Sequence, residues 1–481
     1  MDKIYVNSMK PSILYIDEST IESDRVDSHF YHSKYMINEK KLIKSGLKIV
    51  TLGEVISKMN SPIGWQGIPS ASYLPKGIGI PLIRVQNVSD LMLDKDTLIG
   101  VQEYIYQEQP AIQAEAEDII ITRVGTIGRV CIIPQGIDKI AMGQNLTRIK
   151  VDTDIISSEF LTIFMASEYC QLQMRRYAYG GVQPSLTNKN IKQLLIPIPT
   201  SEIQKYIGDK VRRAEELREE AKRLKEEAED TLDRELKLNE LHMKLKDSKK
   251  KYGWRDIELL KQRIDSDYYA DKFIIKEEHL KNHTRENMFL NDLTEVIFTG
   301  KKLIENENGE EVCYIQSGDI SSNFLDVNNK VKVNTDKLRL LEQKDILLAK
   351  DGETIGKLAV NYSDKKLILN EHTYCLRLKQ THKIYSGYIY YLLRNELLND
   401  LIKREATGSA QKGLNQDFTI KIVIPMIDQK IISRLDELEE LRCKNIYQSK
   451  QLIQQAKQDV EVLIEGNFDM SKLNDTTTES R

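Results

Sequence analysis

The chain has 481 residues, 40% apolar and 30% charged, with 70 basic against 73 acidic side chains for a net charge of −3. That length exceeds one ordinary domain and implies about three folded units. The near-balanced charge excludes a protein that coats nucleic acid by charge alone, although not a reader of specific sequence.

Residues 1–24 show no hydrophobic periodicity and lack the basic and apolar regions of a secretory leader, so secretion is not expected. No stretch supplies the ~18 consecutive apolar residues of a membrane-spanning helix, and no membrane association is expected. The five cysteines (Cys131, Cys170, Cys313, Cys375 and Cys443) lie far apart without a CxxC pair. That argues against a disulfide framework or a thiolate zinc site and fits a reducing cytoplasm.

Residues 25–200 carry short β-branched runs such as Asp118-Ile-Ile-Ile-Thr122, broken by Gly, Pro and Asn. They predict a mixed α/β domain with a helix around Glu159–Arg176. A long helix is predicted over 201–251, opening at Thr200-Ser-Glu after Pro197 and Pro199. Ala214, Leu217, Ala221, Leu224, Ala228 and Thr231 alternate spacings of three and four, a coiled-coil seam with small residues at one core position. The segment holds 15 basic and 14 acidic side chains, which makes its other faces solvated. Residues 252–427 repeat the mixed α/β pattern, with a helix predicted around Gly387–Arg404. A second long helix is predicted over 428–465, with Leu435, Leu438, Leu452, Ala456 and Leu463 as its seam. Helices of ~40–45 residues would be roughly 60–70 Å long, more than a single globular domain needs, so they read as spacer or assembly rod. Residues 466–481 are predicted to be a disordered tail.

The two halves are a tandem repeat. Gly180, Gln183, Leu186 and Pro197 recur as Gly408, Gln411, Leu414 and Pro425, all at an offset of 228. Gly125-Thr-Ile-Gly128 matches Glu353-Thr-Ile-Gly356 at the same offset, and Arg25-Val-Asp-Ser-His-Phe-Tyr31 matches Arg263-Ile-Asp-Ser-Asp-Tyr-Tyr269 at 238. Matches in one order at a held offset indicate duplication.

Chemistry of the reacting kind fails on inspection. Gly352-Glu-Thr-Ile-Gly-Lys357 is one residue short of a phosphate loop, and Leu358 stands where Ser or Thr would hold Mg²⁺. His279 and His283 share a helix spacing without the intervening Glu of a zincin. His29 and His32 lack a further ligand nearby, and both pairs read as solvated or packed histidines.

The Gly180-x-x-Gln183-x-x-Leu186 segment leading to Ile196-Pro-x-Pro199 and directly into a long helix resembles the DNA-specificity subunit of type I restriction–modification systems. The resemblance covers about residues 25–465. It implies two target recognition domains in tandem, separated by long helices packed antiparallel, each domain reading one half of a split, asymmetric site in double-stranded DNA. It also implies a non-catalytic subunit that recruits two methyltransferase subunits and two restriction/translocase subunits. S-adenosylmethionine, Mg²⁺ and ATP are then expected on those partners, with no cofactor on this chain. A subunit of a modification-only or type IIB-like enzyme is the nearest alternative, and a coiled-coil scaffold presenting two protein-binding domains is the rival of another class.

For DNA contact the first domain offers the Gly180-Gly181 to Ser185 loop. Its glycines would let backbone approach DNA, and Gln183 can pair bidentately with adenine. A residue shared by both halves cannot distinguish two half-sites, so a bracing or phosphate role is the stronger reading of Gln183 and Gln411. Lys76, Arg84, Arg123 and Arg129 follow, each weighed against an ordinary solvated charge. Trp65 and Gln66 lie in a Gly- and Pro-rich stretch that suits either a reading loop or a buried anchor. In the second domain the choices are Lys301, Lys302, Gln316, Ser317, Lys350, Lys357, Gln411 and Lys412. Residues 25–200 hold 19 basic and 16 acidic side chains (+3) and residues 252–427 hold 26 and 27 (−1), so this chain alone should neutralise few phosphates.

Overall fold

Ile119–Thr122 is a strand whose four residues are all buried, as an aliphatic run covered on both faces must be. Ile119 and Ile121 face one apolar cluster and Ile120 faces another, the alternation of a central strand. Ile346–Ala349 repeats this arrangement, with Ile346 and Leu348 on one side and Leu347 on the other. The computed structural model describes residues 21, 25–62, 68–89, 91–179, 183–248, 265–284, 286–320, 325, 327–336, 338–408 and 412–475. They fall into two compact units, Met1–Glu216 with Ser449–Arg481, and Leu217–Gln448. Of the predicted extension 1–24 and tail 466–481, residues 1–20, 22–24 and 476–481 lie outside the described residues, whereas the described part of the tail carries a short helix, Lys472–Asp475, with Phe468 against Tyr206 and Lys472 3.0 Å from Asp459.

In the first unit a six-stranded sheet runs in the order Ile56–Asn60, Leu146–Val151, Ile119–Thr122, Val130–Ile132, Leu91–Leu93, Val88–Ser89. A five-stranded sheet accompanies it, and Lys48–Thr51 pairs antiparallel with Leu195–Ile198, the strand just before the first long helix. The second unit repeats the plan with four strands, in the order Thr294–Thr299, Thr373–Leu378, Ile346–Ala349, Leu358–Val360. It adds a three-stranded sheet, and Asn287–Phe289 pairs with Val423–Pro425. The fold is thus mixed α/β in both repeats, with more strands in the first among the described residues.

Each central sheet carries an arginine–aspartate pair whose carboxylate is buried. Arg148 Nε lies 2.5 Å from Asp118 Oδ2, and Arg377 Nη2 lies 2.8 Å from Asp345 Oδ2. Asp118 also accepts the Glu115 N–H and Asp345 accepts the Glu342 N–H, so each carboxylate closes a turn at the start of its strand. Burial pushes the Asp118 carboxyl up against the opposing pull of the Glu115 N–H and Arg148.

The helices differ from the sequence reading at three places. The stretch Glu159–Arg176 is two helices, Ser158–Ala166 and Glu168–Tyr177, because Ser167 leaves helical geometry (ψ 155°). Likewise Gly387–Arg404 divides into Ser386–Arg394 and Asn399–Arg404, with Asn395 at ψ 133° capping the Leu397 N–H through its side chain. The first long helix is Ser201–Glu235, and Leu238–Asp247 follows after Lys237, which takes the left-handed conformation (φ 50°). His279 Nε2 donates to the Leu236 carbonyl at 2.7 Å, and His283 Nε2 donates to the Glu235 carbonyl. The histidine pair read as packed or solvated therefore caps the end of a helix.

The second long helix is Gln429–Ile464. Within the first unit, Ile203, Ile207, Val211 and Ala214 share a core with Ile453, Ala456, Val460 and Leu463. Tyr206 meets Phe468 and Lys210 pairs with Asp459, so the two segments run in opposite senses. In the second unit, Leu224, Ala228 and Leu232 join Leu435 and Leu438, and Arg434 Nη2 lies 2.9 Å from Glu227 Oε1. Ala214, Leu217, Ala221, Leu224 and Ala228 are all buried, and so are Leu435, Leu438 and Ala456. Two seam assignments shift by one residue: Leu232 rather than Thr231 is buried, and Ile453 more fully than Leu452.

Candidate nucleic-acid interface

In the first unit the chain leaves the strand Ile119–Thr122 at Arg123 and turns through Gly125-Thr-Ile-Gly128. The Leu186 N–H donates to the Arg123 carbonyl at 2.8 Å, and the Gly125 N–H donates to the Pro184 carbonyl at 3.1 Å. Tyr179 and Ser185 exchange a pair of backbone bonds at 3.1 and 2.8 Å, closing the loop that carries Gln183. Gly128 sits at φ 84°. Its carbonyl accepts the Gln171 side-chain amide at 2.8 Å, which also reaches the Met165 carbonyl.

The second unit rebuilds this bracket bond for bond. Leu414 N–H donates to the Lys350 carbonyl at 2.9 Å, and Gly352 N–H to the Lys412 carbonyl at 2.9 Å. Thr407 and Gly413 exchange bonds at 2.9 and 2.8 Å. Gly356 sits at φ 87°, and the Asn399 amide holds both its carbonyl and that of Leu393 at 2.8 Å. Arg123 is thus equivalent to Lys350, and Glu353 is one inserted residue. The amides of Gln171 and Asn399 escaped the sequence reading; their spacing of 228 was there to find, but their residue types differ.

The candidate side chains divide into separate groups. Arg123, Gln183 and Ser185 belong to the bracket, where Gln183 is exposed and Arg123 half-buried. Arg123 Nη2 donates to the Pro62 carbonyl at 3.2 Å, and burial lowers its pKa below the usual guanidinium value. Lys76 and Arg84 gather instead at the turn Asp94–Thr97, with Lys76 3.8 Å from Asp96 and Arg84 Nη2 donating to the Thr97 carbonyl at 3.3 Å. Arg129 is exposed beside the Thr122 hydroxyl, which accepts its N–H. Trp65, Gln66, Gly180, Gly181 and Gln411 lie outside the described residues.

In the second unit Lys350 rests over the Tyr374 ring at 5.5 Å and beside Asp351 at 3.6 Å, while Lys412 is exposed. Lys301 and Lys302 border an apolar pocket of about 370 Å³ with Leu303, Ile304, Leu338 and Ile368. Gln316 is exposed and Ser317 half-buried, in a turn where the Gln316 N–H donates to Asp319. Lys357 borders a different hollow, with Glu229 and Arg394. The seven second-domain candidates among the described residues are thus spread over several separate places.

A cleft of about 1080 Å³ adjoins the first bracket. Gly125, Tyr179 and Pro184 form one wall, and Arg25, His29, Lys34, Arg175 and Lys189 supply cationic or titratable groups. None of these five was singled out as a contact by sequence, because they come from stretches far apart in the chain, 25–34, 175 and 189.

A family model described as the type I restriction modification DNA specificity domain matches residues 44–230 and 282–455, once in each repeat. The EcoBI type I restriction enzyme specificity subunit of Escherichia coli is 30% identical over 139 residues, 29% of this chain and 28% of that protein. The putative MjaX type I restriction enzyme specificity subunit of Methanocaldococcus jannaschii is 26% identical over 200 residues, 42% of this chain and 44% of that protein. The chain thus spans less than half the length of these curated relatives. Among solved structures, the type I restriction–modification S subunit from M. genitalium aligns with 88% of this chain and 97% of its own, at 13% identity and a TM-score of 0.47.

Proposed function

The chain belongs to the DNA-specificity family of type I restriction–modification systems, and we propose that it reads a split, asymmetric site in double-stranded DNA, one half with each repeat. The observation that carries this reading is a conserved backbone bracket dressed differently in the two units. Arg123, Pro184 and Ser185 in one stand where Lys350, Lys412 and Gly413 stand in the other. A common frame with divergent side chains suits two unlike half-sites, whereas a symmetric dimer of one domain would read a palindrome.

In this reading the chain is not itself an enzyme. Two methyltransferase subunits bring S-adenosylmethionine, and two restriction/translocase subunits bring ATP and Mg²⁺. The paired long helices serve as the assembly rod, since a two-helix rod leaves faces for partner helices to cover. The decisive experiment is co-purification with the methyltransferase, followed by selection of bound duplexes from a random pool. Enrichment of one motif with two unlike halves at fixed spacing is expected. A complex that enriches no motif would remove the recognition role, and failure to form a complex would favour a scaffold that presents two protein-binding domains.

A further inference from the structure

The offset of 228 relates two nine-residue helices, Ser158–Ala166 and Ser386–Arg394, and also the first residues of the long helices, Ser201 and Gln429. In each unit the short helix meets the long one, so equivalent positions face each other in both. In the first unit Glu159 stands over Gly208: a Cβ on that glycine would sit 3.4 Å from the Glu159 Cβ, and Arg212 pairs with the Glu159 carboxylate. The second unit reverses the arrangement. Gly387 replaces Glu159, Asp436 replaces Gly208 and Glu440 replaces Arg212. The Gly387 N–H donates to Asp436 Oδ1 at 3.0 Å, and a Cβ on Gly387 would come within 2.5 Å of the Asp436 Cα. The cation now comes from the domain, since Lys344 lies 2.5 Å from Asp436 and 3.4 Å from Glu440.

A second set of equivalent positions is inverted in polarity. In the first unit Ile163 shares an apolar cluster with Val211 and Ala214. Their counterparts are Tyr391, Glu439 and Arg442, where the Tyr391 hydroxyl donates to Glu439 Oε2 at 2.7 Å and Arg442 Nη2 to Glu439 Oε1 at 2.6 Å. All six residues are buried. Seating the first domain on the second long helix would drive the Glu159 side chain into the backbone at Asp436. It would also add a carboxylate beside Asp436 and Glu440 and strip Glu439 of its hydroxyl donor. Seating the second domain on the first long helix would bring Lys344 to Arg212 and bury the Tyr391 hydroxyl against Val211 without an acceptor. Each misplacement gathers like charges or leaves a buried polar group unpaired, which costs more than the lost contact alone.

We propose that these inverted contacts key each repeat domain to its own long helix, so that neither domain can fill both seats of the chain. The keying follows from the packing within each unit. Its consequence, that a chain reading two copies of one half-site is excluded, rests on the reading of the chain as a DNA-specificity subunit. Tandem copies of one fold are prone to dock on each other's partners, because their backbone surfaces remain alike. Discrimination then comes from penalising the wrong pairing as well as from favouring the right one. Size, charge and polarity are all exchanged across this contact, a pattern that drift on one surface alone would not produce.

The test compares three full-length chains. The first is the natural one, and in the second a further copy of residues 25–200 replaces residues 263–428. The third adds to that doubled chain Asp436→Gly, Glu439→Val, Glu440→Arg and Arg442→Ala, which give the second long helix the face of the first. Circular dichroism melting reads the keying without DNA. The doubled chain should begin to melt roughly 10 °C or more below the natural one, and the re-faced chain should regain at least half of that loss. In complex with the methyltransferase, the re-faced chain should select a palindrome built from one natural half-site. A doubled chain that melts with the natural one would overturn the proposal, and so would a re-faced chain that melts no higher than the doubled one. If melting recovers but neither the natural nor the re-faced chain selects a motif, the keying stands and the functional reading has failed.

Discussion

Gly128 and Gly356 carry the same structural demand in the two repeats. Both have φ above +80°, and a Cβ on either would come within 2.8 Å of a side-chain oxygen, Gln171 Oε1 or Asn399 Oδ1. Left-handed backbone costs an L-residue about 1–2 kcal/mol, and moving the amide aside would break its two bonds to backbone carbonyls. Gly128→Ala and Gly356→Ala should therefore each destabilise the protein by about 2–3 kcal/mol, read as a lower denaturation midpoint. Gly208→Ala is the contrast. That residue lies inside the first long helix, and its nearest obstacle is Glu159 Cβ at 3.4 Å, so the change should be neutral or stabilise by up to about 1 kcal/mol. The Thr-Ile-Gly motif was visible in sequence because three identical residues recur at one offset. The amide that holds it was hidden, because Gln and Asn do the same work from backbones that need not match in side-chain length.

At the scale of elements, the second long helix buries more charge than its apolar spacing suggests. Arg442 and Glu439 are 2% and 1% exposed with Nη2 and Oε1 2.6 Å apart, and the Tyr391 hydroxyl donates to Glu439 Oε2 at 2.7 Å. Removing one member leaves the other buried without its partner, which typically costs about 3–5 kcal/mol, whereas replacing both with apolar residues can be nearly neutral. Arg442→Met should thus destabilise strongly and Glu439→Leu with Arg442→Met far less, a pattern that a double-mutant cycle in denaturant would reveal. The apolar half of this helix was legible from its leucine spacing. The polar half was not, because Glu and Arg on a charged helix look the same in sequence whether they face water or a neighbouring tyrosine. The end of the first long helix makes a second, titratable case. Burial lowers the His279 pKa below that of an ordinary imidazole, so folding favours the neutral ring that donates to Leu236. A group depressed in this way contributes fully above its unfolded pKa, and the contribution is lost as pH falls through the window beneath about 6.5. Melting temperature should therefore drop more steeply between about pH 7 and 5 in the unsubstituted protein than in His279→Gln, which keeps a donor but does not titrate there.

For the whole molecule, duplication was the most legible property, since an offset survives even where the residues it relates have diverged. What the sequence concealed is the inequality of the copies. The cleft lined by Lys34, Arg175 and Lys189 assembles residues up to 155 positions apart, and in the second repeat Asp400 and Glu405 pair with lysines that composition counts as cations. Net charge per repeat, +3 for 25–200 and −1 for 252–427, hints at the inequality without locating it. The same arithmetic bears on how the chain holds DNA. Many of its cations are already committed: Arg148 to Asp118, Arg377 to Asp345, Arg176 to Glu39 and Arg404 to Glu277 are ion pairs that brace the two folds. A chain of near-balanced charge can neutralise only a few phosphates, and affinity in the specific range of ~10⁻⁸–10⁻¹¹ M at physiological salt needs more. The isolated chain should therefore bind its selected duplex no tighter than micromolar at ~150 mM salt, and adding the methyltransferase should tighten binding by at least about 100-fold while steepening the salt dependence. Anisotropy titrations of the chain alone and of the complex decide the matter. Nanomolar binding by the chain alone would mean that the reading surfaces hold far more phosphate contacts than its near-balanced charge suggests.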